Sequence, residues 1–273
     1  MRTLLVHHDA GRRFDGLADR LDAVMKRTAP LVEMVTGLAL PDTVVIRTMT
    51  VRKWLSAHRR NDRALLLAED RELQPSPSDR RTAKSGAKVR RRSRRIMWPG
   101  IGAQVVDFDR GRPEMVVLPQ ALREAGRLDD EPVLQKIVAH EMTHLAHFAL
   151  GAGSPWDLMT TRYAGLRGVG DRDFSFLVEG HAYWTDQQIT TKLLGAPVPT
   201  AEISPHATLR YRALAATPQR NATLAYFTRA ASAVGTIIDA QGLDVFNGVW
   251  SDPELVPLRS ETDTPDLWIR RFG

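Results

Sequence analysis

Twelve residues, "IVAHEMTHLAHF" (Ile137–Phe148), constrain this chain more than any other stretch, because they set three histidines and a glutamate into an otherwise apolar run. Asp129 and Asp130 supply N-cap chemistry, Pro132 suits a first turn, and Gly151, Gly153 and Pro155 stop what precedes them. Leu134, Ile137, Val138, Leu145 and Phe148 recur at helical spacing, which predicts a helix over 131–149 with one buried face. On such a helix His140 and His144 lie one above the other, roughly 6 Å apart by rise. Two imidazoles so placed can share one zinc ion, with Glu141 beside them as general base. Burying them together without a cation would leave charge and donors in want of partners. His147 is read as an ordinary packed histidine. It stands seven residues from His140, about 10.5 Å of rise, too far to share the same ion.

A catalytic zinc usually takes three protein ligands. The metzincin continuation would need Gly and His where this chain has His147 and Leu150, so that class is disfavoured. A second helix is predicted over 173–195, "DFSFLVEGHAYWTDQQITTKLLG", with an acidic start and a glycine stop. Glu179 falls in its second turn among Phe176, Leu177, Val178 and Tyr183, where a carboxylate needs a partner or a metal. Gly180 beside it would let two helix backbones approach closely. Asp171, Asp173 and His181 are the next candidates for third ligand.

"HEMTH" followed by "EGHA" resembles the gluzincin pattern, two His from H-E-x-x-H and a Glu from the following helix. That resemblance implies His140, His144 and Glu179 as zinc ligands and Glu141 as the base that takes a proton from water at the metal. It also implies a zincin-like α+β fold, with an N-terminal mixed-sheet subdomain, a C-terminal helical one and the active-site helix between them. The C-terminal run from Gly242, with Phe246, Trp250, Pro253, Pro257 and Trp268, is similar to a zincin-like family linked in places to deazaflavin coenzyme biosynthesis. Together the two resemblances cover about residues 114–271. Some gluzincins carry a tyrosine 15 residues before a glycine on the C-terminal helix. Counting back from Gly242 reaches Phe227, with Tyr226 one residue away, so Tyr226 is the expected oxyanion donor; His181, Tyr183, His206 and Tyr211 stay open.

At 273 residues with 43% hydrophobic side chains, the chain suits a globular core and has no run of membrane-spanning length. The expected division is 1–150, ending in the zinc helix, and 151–273. Leu4, Leu5 and Val6 are too short a run for a signal peptide, and the absence of cysteine excludes disulfides and thiolate metal sites; both suit a cytoplasmic protein. Between Pro75 and Arg95 the local net charge is +8 against +6 for the whole chain. This segment, "PSPSDRRTAKSGAKVRRRSRR", is poor in apolar residues and reads as a mobile, solvated insert, with a weak polyanion contact through 80–95 as the functional alternative.

Elsewhere a helix is predicted over 14–36, kinked or broken at Pro30, and strands at 43–48, 64–68, 104–108 and 114–118, the last two forming a hairpin. Helices at 221–240 and 243–250 follow. By the resemblance, strand 114–118 would be the sheet edge on which an extended peptide or protein substrate pairs. The leading expectation is a zinc metallopeptidase. The alternatives are a zinc-binding zincin fold without peptidase activity, and a basic-loop protein acting at nucleic acid.

Overall fold

The structure, a computed structural model, describes residues 2–109 and 111–272. It is a mixed α+β arrangement around a four-stranded sheet. The strands are β1 (Thr3–Asp9), β2 (Thr43–Met49), β3 (Ala103–Asp109) and β4 (Arg112–Val117), in the order β1-β2-β4-β3. β1, β2 and β4 run parallel, while β3 returns antiparallel to β4 and forms an edge. The helices of four or more residues are α1 (Asp15–Thr36), α2 (Val51–Leu73), α3 (Pro77–Met97), α4 (Pro119–Glu124), α5 (Glu131–Ala149), α6 (Pro155–Thr160), α7 (Phe174–Leu194), α8 (Leu209–Ala215), α9 (Pro218–Gln241), α10 (Leu243–Asn247) and α11 (Asp266–Ile269). No helix of the described residues is long and apolar enough to cross a membrane.

β4 explains the sheet. Met115, Val116 and Val117 are all fully buried, with Met115 and Val117 in the main core and Val116 in a second, smaller core with Trp54 and Val106. Side chains alternate between faces, so a strand covered on both sides reads as a continuous apolar run. "EMVVL" is such a run. The expectation that 114–118 is the substrate-pairing edge is therefore corrected: it is an interior strand, and the edge is β3.

Three other expectations change. Residues 64–68 are not a strand but the middle of α2, whose buried positions Trp54, Ala57, His58, Asp62 and Glu69 follow helical spacing. Residues 75–95 are not a loop but mostly α3, started by a capping box between Ser76 and Asp79 with Pro77 in the first turn. Its cations cross to acids of α2 and so need no apolar surface: Arg94 meets Asp62 at 2.6 Å, and Arg162, from the segment after α6, meets the same carboxylate at 3.1 Å. Finally, α1 runs through Pro30 without ending, with Pro30 on its exposed side, where water can meet the carbonyl it leaves free. β1 joins the sheet on the Leu4–Val6 run.

The main core carries α5 across the middle of the molecule, between α1 on one side and α7 on the other, with α9 behind α7. Asp130 caps α5 and Asp173 caps α7, each accepting a backbone N–H three residues on, and Gly195 closes α7 in a left-handed conformation. The bounds predicted for both helices agree with these to within a residue. Gly180 allows a close approach, but to α9 and not α5: a Cβ there would stand 2.9 Å from Ala230 backbone atoms.

Candidate metal centre

α5 presents His140 and His144 toward α7, which presents Glu179. The two imidazole Nε2 atoms are 3.2 Å apart, His140 Nε2 is 3.5 Å from Glu179 Oε2, and His144 Nε2 is 3.8 Å from Glu179 Oε1. All the ligand atoms lie within 4.8 Å of one another. Two nitrogens each roughly 2.0–2.1 Å from a tetrahedral ion stand about 3.3 Å apart. The donor set and its spacing therefore fit a small divalent cation, and nitrogen with carboxylate suits zinc among other metals.

Both histidines are held from behind. His140 Nδ1 lies 3.1 Å from Asp186 Oδ2, a carboxylate–histidine arrangement that fixes which ring nitrogen faces the cluster. Lys136, one turn before His140, sits 3.4 Å from the same carboxylate and donates to Thr200 Oγ1 and the Val198 carbonyl. His144 Nδ1 lies 3.4 Å from His147 Nδ1, and His147 Nε2 lies 2.8 Å from His181 Nδ1. Three imidazoles thus form a chain into the core, where His147 stacks on Trp250 at 4.4 Å and His181 Nε2 meets no partner among the described residues. His147 lies outside the His140–His144–Glu179 group, but it is not an ordinary packed residue: its Nδ1 meets that of His144 from behind.

Glu141, beside His140 on α5, accepts the Val105 N–H of edge strand β3 at its Oε2, at 2.8 Å. Burial pushes its carboxyl up to about 7, opposed by the neighbouring His140 charge. Burial works against charging His140, yet its hydrogen bonds to Asp186 and Glu179 outweigh this and lift it to about 10. The two histidines diverge because His144 lacks a carboxylate contact of comparable strength, and burial holds it at about 3. For Glu179 burial alone would raise the carboxyl, but His140 and His144 keep it below its usual value. A metal-free cluster of this kind has one charged and one neutral imidazole, both turned to the same point.

A cavity of about 190 Å³ opens beside His140 and Glu141. Tyr183 and Tyr211 line it, and the Tyr183 ring lies 4.6 Å from that of His140. Burial, with Glu179 and Asp186, holds the Tyr183 phenol well above its ordinary range. The other tyrosine and histidine candidates lie elsewhere. Tyr226 donates its hydroxyl to Asp173 at 2.8 Å, bracing the start of α7, and does not line the cavity. His181 is buried behind His147, and His206 lines a separate depression. Asp186 and Lys136 were not singled out from the sequence, although they stand seven residues after Glu179 and four before His140, on the faces those residues define.

No family model matches the chain, and no curated protein matches it. A solved structure from Chloroflexus aurantiacus, described as "a putative hydrolase with a novel fold", superposes with a TM-score of 0.58 at 20% identity, over 93% of this chain and 89% of that one. At that identity the likeness is one of fold.

Proposed function

We propose that the chain is a zinc-dependent hydrolase acting on peptide bonds. The observation that carries this reading is the convergence of His140, His144 and Glu179 on one point, with Glu141 buried next to it at the mouth of a cavity. His140, His144 and Glu179 would hold the ion, which when bound supplies Lewis-acid polarisation of a carbonyl and acidifies water.

Glu141 is suited to accept and return a proton near neutral pH, since burial places its carboxyl at about 7. The Val105 N–H occupies Oε2 and fixes the rotamer, leaving Oε1 for the proton. Tyr183, on the cavity wall against His140, replaces Tyr226 as the proposed donor to a developing oxyanion; its raised pKa keeps the hydroxyl protonated for that role.

The edge strand favours a peptide. Gly102 accepts from Leu118 on the β4 side, whereas the Val105 N–H points away from β4, so by strand alternation Ala103 also turns its N–H and C=O outward. Ala103 lines the cavity. An extended chain could add there by main-chain hydrogen bonds.

The test is paired. Purified protein is expected to hold about one zinc per chain, with His144→Ala and Glu179→Ala each losing it. Glu141→Gln should keep the metal and lower cleavage of a peptide library by about 10²–10⁴-fold. Metal retained in Glu179→Ala, or undiminished turnover in Glu141→Gln, would each defeat the assignment.

A further inference from the structure

The cavity wall carries three cations, Arg127, Lys136 and Arg220, and they are not equivalent. Arg127 is engaged by Asp130 at 2.6 Å and by the Glu202 carbonyl at 3.0 Å. Lys136 is engaged by Thr200, the Val198 carbonyl and Asp186. Arg220 has no side-chain hydrogen bond or ion pair with any described residue. Only its backbone is tied down, its N–H donating to Thr217 Oγ1 at 3.3 Å as the third residue of α9. The residue is partly buried, and close enough to Tyr183 for its charge to be felt at the phenol. The rest of the wall mixes apolar residues such as Leu122, Val133 and Ile137 with Glu141 and Glu202, and Glu202 is turned to Arg127 at 3.7 Å.

A guanidinium on the cavity wall that is paired with neither Glu141 nor Glu202, the acids of that wall, is a receptor for an anion from outside. Its planar fork matches the two oxygens of a carboxylate, whereas a phosphate is usually met by several donors, and here the other two cations are already engaged. We propose that the cavity admits a substrate with a free carboxylate and that Arg220 receives it. This rests on the reading that bonds are broken at the His140–Glu141 end of the same cavity, and it deepens that reading into a preference: the carboxylate is either the C-terminus of a short peptide or an acidic side chain within one.

Binding separates this inference from the hydrolytic one, because it needs no turnover. The full chain carrying Glu141→Gln, with and without Arg220→Ala, is titrated with a tripeptide library bearing free C-termini, with the same library as C-terminal amides, and with amides containing Asp or Glu at one position. Bound peptides are read by native mass spectrometry. Free acids are expected to bind about 10–100-fold more tightly than amides, with the advantage abolished in Arg220→Ala and partly kept in Arg220→Lys. If instead the Asp or Glu amides carry the Arg220-dependent advantage, the carboxylate is a side chain and the inference stands. Unchanged amide binding in Arg220→Ala shows that the variant is folded, and loss of amide binding there transfers the test to Arg220→Lys and Arg220→Gln. Equal binding of acids and amides, or an acid preference that survives without Arg220, overturns the proposal whether or not the wild-type chain cleaves peptides.

Discussion

Two helix pairs in this molecule are crowded with ionisable groups, and they resolve the crowding in opposite ways. In the α2–α3 pair every buried carboxylate is met from within the chain. Asp62 is gripped by Arg94 and Arg162, Glu69 accepts the Arg162 N–H and the Thr161 hydroxyl, and Tyr163 donates to Asp70. In the α5–α7 pair the acceptors face one another: two Nε2 atoms and a carboxylate turn to a common point, and among the described residues no Lys or Arg forms an ion pair with that carboxylate. The first arrangement is closed. The second could hold a metal ion, and density of charge alone does not distinguish the two; the direction in which the groups point does.

Acid should produce the largest effect, and it acts on both pairs. In metal-free protein His58, beside α3, and His181, behind the ligands, are each held by burial at about 3, against an ordinary 6.5. The folded state therefore binds fewer protons than the unfolded one at low pH. The stability these groups contribute is present above pH 6.5 and is lost as pH falls from 6.5 toward 3. Thermal melts across that window should show a steep drop in Tm, and a flat profile would mean that neither imidazole is buried as described.

Breaking the closed pair should cost less. Asp62→Ala leaves Arg90, Arg94 and Arg162 repelling one another around a half-dry site, and a loss of about 3 kcal/mol in urea unfolding is expected. Zinc content should not change. Loss of metal in this variant would show that the two pairs are coupled.

The smallest effect sharpens the open pair. His147→Ala removes the partner of His144 Nδ1 without touching a ligand, and zinc affinity measured by chelator competition should fall about 10–100-fold. His147→Gln can still accept from Nδ1 and should recover part of it. An unaltered affinity in the alanine variant would reduce the imidazole chain to packing.

The same contrast explains what could be read before the structure. The bounds of α5 and α7, and the stacking of His140 on His144, follow from signals local to each segment, a capping aspartate, a glycine stop and helical spacing, whereas the choice of Glu179 as their partner rests on the gluzincin resemblance. The α2–α3 pair was misread because its stabilisation is not local. The arginines of α3 look like a solvated run until Asp62, some thirty residues earlier, is placed beneath them, and "ALLLA" looks like a strand until the polar buried positions around it are seen to share a helical face. β1 was legible only as three apolar residues, because its partner lies forty residues on. The positioning residues Asp186 and Lys136 had the right spacing, but spacing from a ligand is informative only once the ligand is known.

The hydrogen bond from Val105 to Glu141 has a consequence for how the protein behaves in bulk. An edge strand with unpaired N–H groups is a template on which another chain can add, and soluble proteins commonly guard such edges with charge or cover. Glu141 guards β3 at its most buried residue, so the proposed base also serves as an edge protector. A glutamine there retains an acceptor for the Val105 N–H and keeps the strand covered. An alanine uncovers it, and samples of Glu141→Ala at high concentration would then lose activity by self-association through β3 as well as by the missing carboxylate.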